Sequence, residues 1–361
     1  MRHRFHAICP YFAMFPERFV EKHLVYSKRG DLVFDPFSGR GTTPFQSVLS
    51  GRRAIASDIS PVAYCISRAK VAGVARADVL RRLSKLEADC RDADVRLIED
   101  QFFQACFHSH TLRQLMFLRK RLRWQSNDVD CFIAALVLGL LHGESHRSAK
   151  YFSNRMPRTI ATKPAYSIRW WAHHGYIAPK REVFPILRSE IAYRYETGLP
   201  TGEAEVVKVD ARDAGNAFRR YRHQVKLVIT SPPYPDTTHF GEDQWLRGWF
   251  LGGKPTPTIE VGGDDRHRSL DSYWDFLGES WKGVRSLLNP EAATVVVRIG
   301  GSKLSLESAK EGLVEGLKAA TKRRVRVQNA IETDIVGGQL KSFRPSAEGT
   351  KREFDFVFSL R

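Results

Sequence analysis

Short apolar runs that end on polar residues punctuate the first part of the chain. Leu32 to Phe34 reads as a strand that runs into Asp35-Pro36 and a Gly39-Arg40-Gly41 turn, and Thr43 to about Ser50 continues as a helix. Ala54 to Ser57 is a second strand ending on Asp58. Ser60-Pro61 then opens another helix, because proline's missing donor is harmless in a first helical turn. Strand, tight turn, helix, strand, helix is how a doubly wound sheet begins. From about Val74 to Gly202 the period changes to that of helices: charged over Leu80 to Asp100, amphipathic around Leu112 to Leu122, and apolar from Cys131 to Leu141. Strands then resume. Glu205 to Val209 ends on Asp210, and Val225 to Thr230 ends on Ser231-Pro232-Pro233-Tyr234. Ala293 to Ile299 follows an amphipathic helix from Tyr273 to Leu288 and an Asn289-Pro290 turn. Val325 to Asp334 and Phe354 to Leu360 complete the pattern, joined by a polar loop containing Gly337, Gly338 and Pro345. There is no internal repeat. The organisation predicted is one α/β, mostly parallel sheet domain made of residues 1–73 and 204–361, interrupted over 74–203 by a helical insertion.

Charge changes this picture. With 57 Lys and Arg against 40 Asp and Glu, the formal charge is +17, and a polyanion is the expected partner because each neutralised phosphate releases condensed counterions. The five cysteines have no paired spacing, so neither a zinc ribbon nor a disulfide framework is expected, only reduced core thiols. The longest apolar run, Cys131 to Leu141, falls short of the roughly 20 residues a bilayer span needs, and no membrane partner is expected. Met1 to His6 is basic and aromatic with no signal-like apolar stretch behind it, which points to a cytoplasmic, nucleoid-associated protein. His142 and His146 stand at i,i+4, but Glu144 is misplaced for a zincin and no third ligand is evident, so no metal is expected there or at His108 and His110.

Ligands of such sheets sit at the carboxyl ends of strands, where glycines admit a close backbone and an acid holds hydroxyl groups. Asp58, 19 residues after Gly39, has the spacing of a ribose-binding acid. The run Asp35-Pro36-Phe37-Ser38-Gly39-Arg40-Gly41-Thr42-Thr43 resembles the first motif of the amino-directed, S-adenosylmethionine-dependent DNA methyltransferases. The resemblance implies a class I methyltransferase fold with the methionine end of S-adenosylmethionine near Asp35, Pro36, Phe37, Ser38, Gly39, Gly41 and Thr42. It further implies Asp58 on the ribose and Asp210 by the adenine, although Asp213 lies close and spacing does not choose between them. Met14-Phe15-Pro16-Glu17-Arg18-Phe19 is similar to the family's tenth motif, which assigns Phe15 and Pro16 to the methionine end.

Ser231, Pro232, Pro233 and Tyr234 resemble the catalytic tetrapeptide. Two prolines fix two φ angles and leave rigid carbonyls free to accept. An exocyclic amine needs acceptors on both N–H groups, so that its lone pair turns from the ring toward the methyl carbon. Ser231 Oγ and the Pro232 carbonyl are the natural pair. Tyr234 is expected to offer an aromatic face to a base flipped out of duplex DNA. Ser231 orients and polarises rather than acting as a strong base. Within the family that this tetrapeptide resembles, serine at the first position is commonest in cytosine-N4 enzymes, so the resemblance implies cytosine-N4 ahead of adenine-N6. An RNA-base methyltransferase and an inactive, DNA-binding methyltransferase fold are the alternatives, and a cognate restriction endonuclease is a candidate partner. The motif order, tenth, first, catalytic, is the family's unpermuted one, but the insertion lies away from the usual sites of recognition domains.

From Ser145 to Arg181 there is no acidic residue. Arg147, Lys150, Arg155, Arg158, Lys163 and Arg169 are interleaved with Tyr151, Phe152, Tyr166, Trp170, Trp171 and Tyr176, which suits phosphate tracking beside stacking surfaces. Arg113, Arg119, Lys120, Arg121 and Arg123 form a second cluster, equally readable as a solvated helix face or a nucleic-acid surface.

Overall fold

The computed structural model describes residues 2–11, 15–156, 163–235, 243–257, 269–301, 303–334 and 352–361; Met14, Arg158 and the loop with Gly337, Gly338 and Pro345 lie outside them. The strands are β1 (Leu32–Asp35), β2 (Arg53–Ser57), β3 (Ala204–Val207), β4 (Val225–Thr230), β5 (Ala293–Gly300), β6 (Val325–Asp334) and β7 (Arg352–Leu360). The principal helices begin with α1 (Glu17–His23), α2 (Thr42–Leu49), α3 (Pro61–Val71), α4 (Arg76–Arg91), α5 (Gln101–Cys106) and α6 (Ser109–Arg121). They continue with α7 (Asp128–Leu140), α8 (Pro164–His173), α9 (Val183–Tyr195), α10 (Trp245–Phe250), α11 (Leu270–Val284) and α12 (Leu306–Thr321).

The chain divides into two compact units. One gathers Phe12–Ser67, Pro200–Thr238 and Glu260–Arg361; the other gathers Met1–Tyr11, Arg68–Leu199 and His239–Ile259.

The first unit holds a seven-stranded sheet in the order β3-β2-β1-β4-β5-β7-β6. Only β7 is antiparallel to its neighbours, entering between β5 and β6. β1 is buried at all four positions, the signature of a parallel strand covered on both faces. Alternate residues feed opposite cores. Val33, Leu227, Ile229, Val296 and Val357 pack with Phe15, Phe19 and Val20 at α1. Phe34, Val228, Val295 and Val297 pack instead with Tyr273, Leu277 and Trp281 of α11 and Leu313 and Leu317 of α12. Sequence patterning did not register α12. Its start is a capping box, Ser305 Oγ accepting from Ser308 N and Ser308 Oγ from Ser305 N, and Ala309, Leu313, Leu317 and Ala320 line its buried face.

The helical unit is built around α7, buried almost throughout. Segment 2–11 belongs to this unit: Phe5 packs on Phe132 and Tyr195 at 5.2 and 5.3 Å between ring centres. Ile8 lies so close that a Cβ on Gly139 would sit 2.1 Å from its carbonyl oxygen. Arg247, fully buried in α10, donates to the Leu138 carbonyl and to Gln244. All five cysteines are buried, and none is joined in a disulfide. Among the described residues no helix is long and apolar enough to cross a membrane.

Candidate active site

β1 and β4 are adjacent and parallel, with Phe34 opposite Val228, and the order of connection reverses between them. Chains that leave neighbouring strands at such a switch point splay apart and leave a crevice. The segments from Asp35 and from Ser231 both leave at this edge. Two buried hydrogen bonds tie them: Thr230 Oγ1 donates to Asp35 Oδ1 at 2.7 Å, and Thr43 Oγ1 to the Ile229 carbonyl at 3.1 Å.

After Asp35 the backbone tightens. Phe37 N donates to Asp35 Oδ1, Ser38 N to the Ser57 carbonyl, and Gly41 N to the Ser38 carbonyl. Gly41 has φ +73°, and a Cβ there would lie 2.7–2.9 Å from Ser67. Position 41 is therefore glycine for two independent reasons, left-handed backbone and close approach of a helix. Ser67 Oγ on α3 reaches the Gly39 carbonyl and Ser38 Oγ. Arg40 joins the Thr42 hydroxyl to Glu17 at the start of α1, so the first and tenth motifs are cross-braced. Phe15 is buried against Phe19, and Pro16 precedes the first turn of α1.

Asp58, at the end of β2, accepts from Gly39 N at 2.8 Å and from Ser60 N at 2.9 Å. It braces the turn and opens α3. Asp210 follows β3 and holds Arg212 through both oxygens at 2.9 and 2.7 Å. Arg212 in turn lies over Phe276, which packs on Phe37 at 5.9 Å.

Asp35 is the electrostatic centre of the turn. Burial raises its pKa from 3.8 to about 7, against the lowering effect of bonds from Thr230, Thr43 and Phe37 N. An acid whose pKa is higher folded than unfolded stabilises the fold fully below 3.8, and that contribution disappears as pH climbs to about 7. Asp35→Asn is accordingly expected to flatten the fall in stability across this window. Urea midpoints of both proteins at its two ends measure it, and parallel falls would remove Asp35 as the titrating group.

Beyond β4, Ser231 and Pro233 are part-exposed, while Pro232 and Tyr234 are buried. The open aromatic face expected of Tyr234 is not what the structure presents. The ring is 3 % exposed within the sheet's core, and its hydroxyl donates to Glu353 Oε1 at 2.8 Å. Glu353 belongs to a largely buried cluster that the sequence did not disclose. Arg298 on β5 grips Asp355 through two bonds of 2.6 and 2.7 Å, approaches Glu353 at 3.2 Å, and stacks over Phe19 at 4.3 Å.

In the helical unit the basic residues divide. Arg147 pairs with Glu144 and Lys150 with Glu190, acids on either side of the acid-free run. Arg155 covers the Tyr176 ring at 3.9 Å, whereas Lys163 and Arg169 are exposed. In the second cluster Arg113 satisfies the Cys90, Arg91 and Ala93 carbonyls at the end of α4, and Arg119 those of Trp249 and Gly253. Those two are structural.

The sheet order, with its one antiparallel strand and a glycine turn after β1, defines a class I methyltransferase fold. Residues 3–68 match the family model for the N6/N4 DNA methylases. The orphan methyltransferase M.BamHII of Bacillus amyloliquefaciens is 46% identical over 54 residues, 15% of this chain and 20% of that protein, so the chain spans about a fifth of its relative's length. Among solved structures, an rRNA methyltransferase, aviRa from Streptomyces viridochromogenes, covers 99% of this chain and 93% of its own at 13% identity and a TM-score of 0.39. A 16S rRNA (adenine(1408)-N(1))-methyltransferase from Catenulisporales acidiphilia covers 96% and 92% at 10% identity and 0.34. Over residues 3–68, the segment that carries the first and tenth motifs, the chain is similar to the amino-directed methyltransferases, and the cofactor this likeness supports is S-adenosylmethionine. The turn fits that cofactor: Gly39 and Gly41, both left-handed, leave backbone without side chains after β1, and the Asp58 carboxylate stands beside them on Gly39 N.

Proposed function

We propose that this chain transfers a methyl group from S-adenosylmethionine to the exocyclic amino group of a nucleic-acid base, cytosine-N4 in DNA, as part of a restriction–modification pair or as a solitary modifier. One observation carries the reading. The glycine turn and the Ser231 rim leave adjacent strands at the switch point and are bonded together through Thr230 and Asp35. Residues Phe15, Pro16, Asp35 to Gly39, Gly41, Thr42 and Asp58 would hold the cofactor, which supplies an electrophilic methyl group when bound; Asp210 would lie toward its adenine.

The chain's own contribution is orientation. Ser231 Oγ and the Pro232 carbonyl accept the two amine hydrogens, favouring a pyramidal nitrogen whose lone pair faces the methyl carbon. A base must leave its stack to reach them, at a few kcal/mol. With its ring buried, Tyr234 serves this step as a brace for the rim rather than as an open stacking platform.

The helical insertion, residues 74–203, is the proposed nucleic-acid reader. Its exposed cations Lys163 and Arg169, with Arg155 and the neighbouring Arg158, favour a phosphate backbone. Reversing Arg155, Lys163 and Arg169 to glutamate is expected to weaken duplex binding at least tenfold and to reduce the salt slope by roughly 0.9 for each phosphate no longer neutralised. Fluorescence anisotropy over a salt series measures both, and an unchanged slope would free these residues of that role.

Mass spectrometry of nucleosides after incubation with duplex DNA or with total RNA tests the function itself. N4-methylcytosine from DNA is the expected product. N6-methyladenine would move the assignment to the other amine, methylated RNA would move it to an RNA enzyme, and no methylated nucleoside without S-adenosylmethionine binding would leave a binding scaffold.

A further inference from the structure

The parallel strands that finish at the crevice all begin at the opposite edge of the sheet. There β4, β5 and β6 start and β7 stops, with Ala293 and Val325 both paired to Leu360 and Val225 bridged to Leu288. Three segments meet at this edge, 219–226, 285–291 and 322–326, and together they carry nine Lys and Arg against one acid, Glu291. Asn289 ties them. Its N–H donates to the Val225 carbonyl at 2.9 Å and its side-chain amide to the His223 carbonyl at 3.2 Å. Lys226 Nζ donates to Asn289 Oδ1 at 2.9 Å, and Arg323 to the Asn289 carbonyl at 2.6 Å. His223 N–H reaches the Ser286 carbonyl at 3.1 Å.

The cations of these segments face outward. Arg222, Arg285, Lys322 and Arg324 are exposed, and none of them has a carboxylate partner among the described residues. Arg220 does have one, Glu205. Like charges held this close repel one another, so a face so one-sided calls for a polyanion. Two of its positions are also backbone outliers: His223 and Lys322 are the non-glycine residues with left-handed backbone among those described, at φ 63° and 59°. Lys322 ends α12, where glycine is the usual residue. A lysine there adds charge to the face against the conformational preference of the site. Helix dipoles favour cations at the ends of α11 and α12, where Arg285 and Lys322 stand, but they give no reason for Arg222 or Arg324.

We propose that this edge of the sheet is a second nucleic-acid contact, which binds the phosphate backbone of duplex DNA without regard to sequence. The inference deepens the reading above and rests on its substrate being a nucleic acid. The six residues of β4, at about 3.3 Å each, set the patch about 20 Å from Ser231 along the strand. A straight duplex with a base at Ser231 does not also lie across the opposite edge. The patch therefore meets another stretch of the same polymer, and that tether raises the local concentration of target bases at the crevice. Its composition suits phosphate. Arginine predominates, with a planar fork that matches phosphate oxygens. Protein interfaces centre on apolar or aromatic anchors, and none of the exposed large hydrophobic residues, among those described, belongs to these three segments.

A quadruple variant, Arg222→Gln, Arg285→Gln, Lys322→Gln and Arg324→Gln, removes the exposed charges and leaves Asn289 with its bonded Lys226 and Arg323. In fluorescence anisotropy with mixed-sequence duplex DNA, affinity should fall at least tenfold and the salt slope by about 3 to 4, at roughly 0.9 for each phosphate no longer neutralised. The loss should be equal for any DNA sequence. Turnover at saturating DNA should stay within about twofold of wild type, because the patch positions DNA and does not touch the reacting atoms. The melting temperature should not fall, since the charges removed repel one another. Lysine at the three arginine positions should restore most of the slope, because counterion release follows charge. Unchanged affinity and slope in the quadruple variant would overturn the proposal. So would intact DNA binding with lost binding to phosphatidylserine vesicles, which would assign the edge to an anionic membrane. Failure of the underlying reading looks different: the wild-type chain would bind DNA through this edge yet transfer no methyl group to DNA or RNA.

Discussion

Ser231→Ala is expected to lower methyl-transfer turnover by about 100- to 1,000-fold, the loss typical of one preorganised polar group aimed at a transition state. S-adenosylmethionine affinity should be retained, because Ser231 follows β4 whereas the cofactor turn follows β1 and is braced by Asp58, Ser67 and Thr43. The effect should appear in kcat more than in KM, since the oxygen is needed most when the amine pyramidalises. Single-turnover transfer of a labelled methyl group measures this directly. Turnover within about threefold of wild type would remove Ser231 from the chemistry. Tyr234→Ala tests the same rim less cleanly: deleting a buried ring of that size costs about 3–5 kcal/mol in stability, and lower activity would then mix folding with catalysis.

Arg298→Ala should be strongly destabilising, by about 3–5 kcal/mol, because it strands two largely buried carboxylates without their counter-ion. Arg298, Glu353 and Asp355 have side chains only 10, 12 and 13 % exposed, so water cannot take over the missing interaction. Arg298→Lys should recover part of the loss by restoring the charge without the two-point fork to Asp355. Urea unfolding followed by far-ultraviolet circular dichroism gives the comparison. A penalty below about 1 kcal/mol, the range of exposed pairs, would mean that the cluster is solvated and that β7 does not depend on it.

Particular residues show where sequence reading succeeds. β1, β2, β4 and β5 were legible because a parallel strand buried on both faces must be a short apolar run, and each run broke at a polar residue. The glycine turn was legible because left-handed backbone and the close approach of a helix leave position 41 no other residue. α12 went unread although its Ser305 cap and its apolar spacing are both local signals. Arg113 and Arg119 read as ambiguous charges; only their carbonyl partners, 20–23 and 130–134 residues away, reveal structural work.

By itself the sequence determined the ends of β1, β2, β4 and β5 to within a residue, although it carried β3 to Val209 where the strand stops at Val207, and it determined the glycine turn and the double-proline segment, all properties of contiguous residues whose conformational limits are intrinsic. Tertiary structure alone decided that segments 2–11 and 243–257 join the helical unit, that Tyr234 points inward, and that Glu353 and Arg298 stand behind it. These depend on pairings between distant parts of the chain: 119 residues separate Tyr234 from Glu353, and 57 separate Arg298 from Asp355. Side-chain alternation in β5 and β7 leaves no mark in sequence that tells which buried carboxylate will meet which hydroxyl.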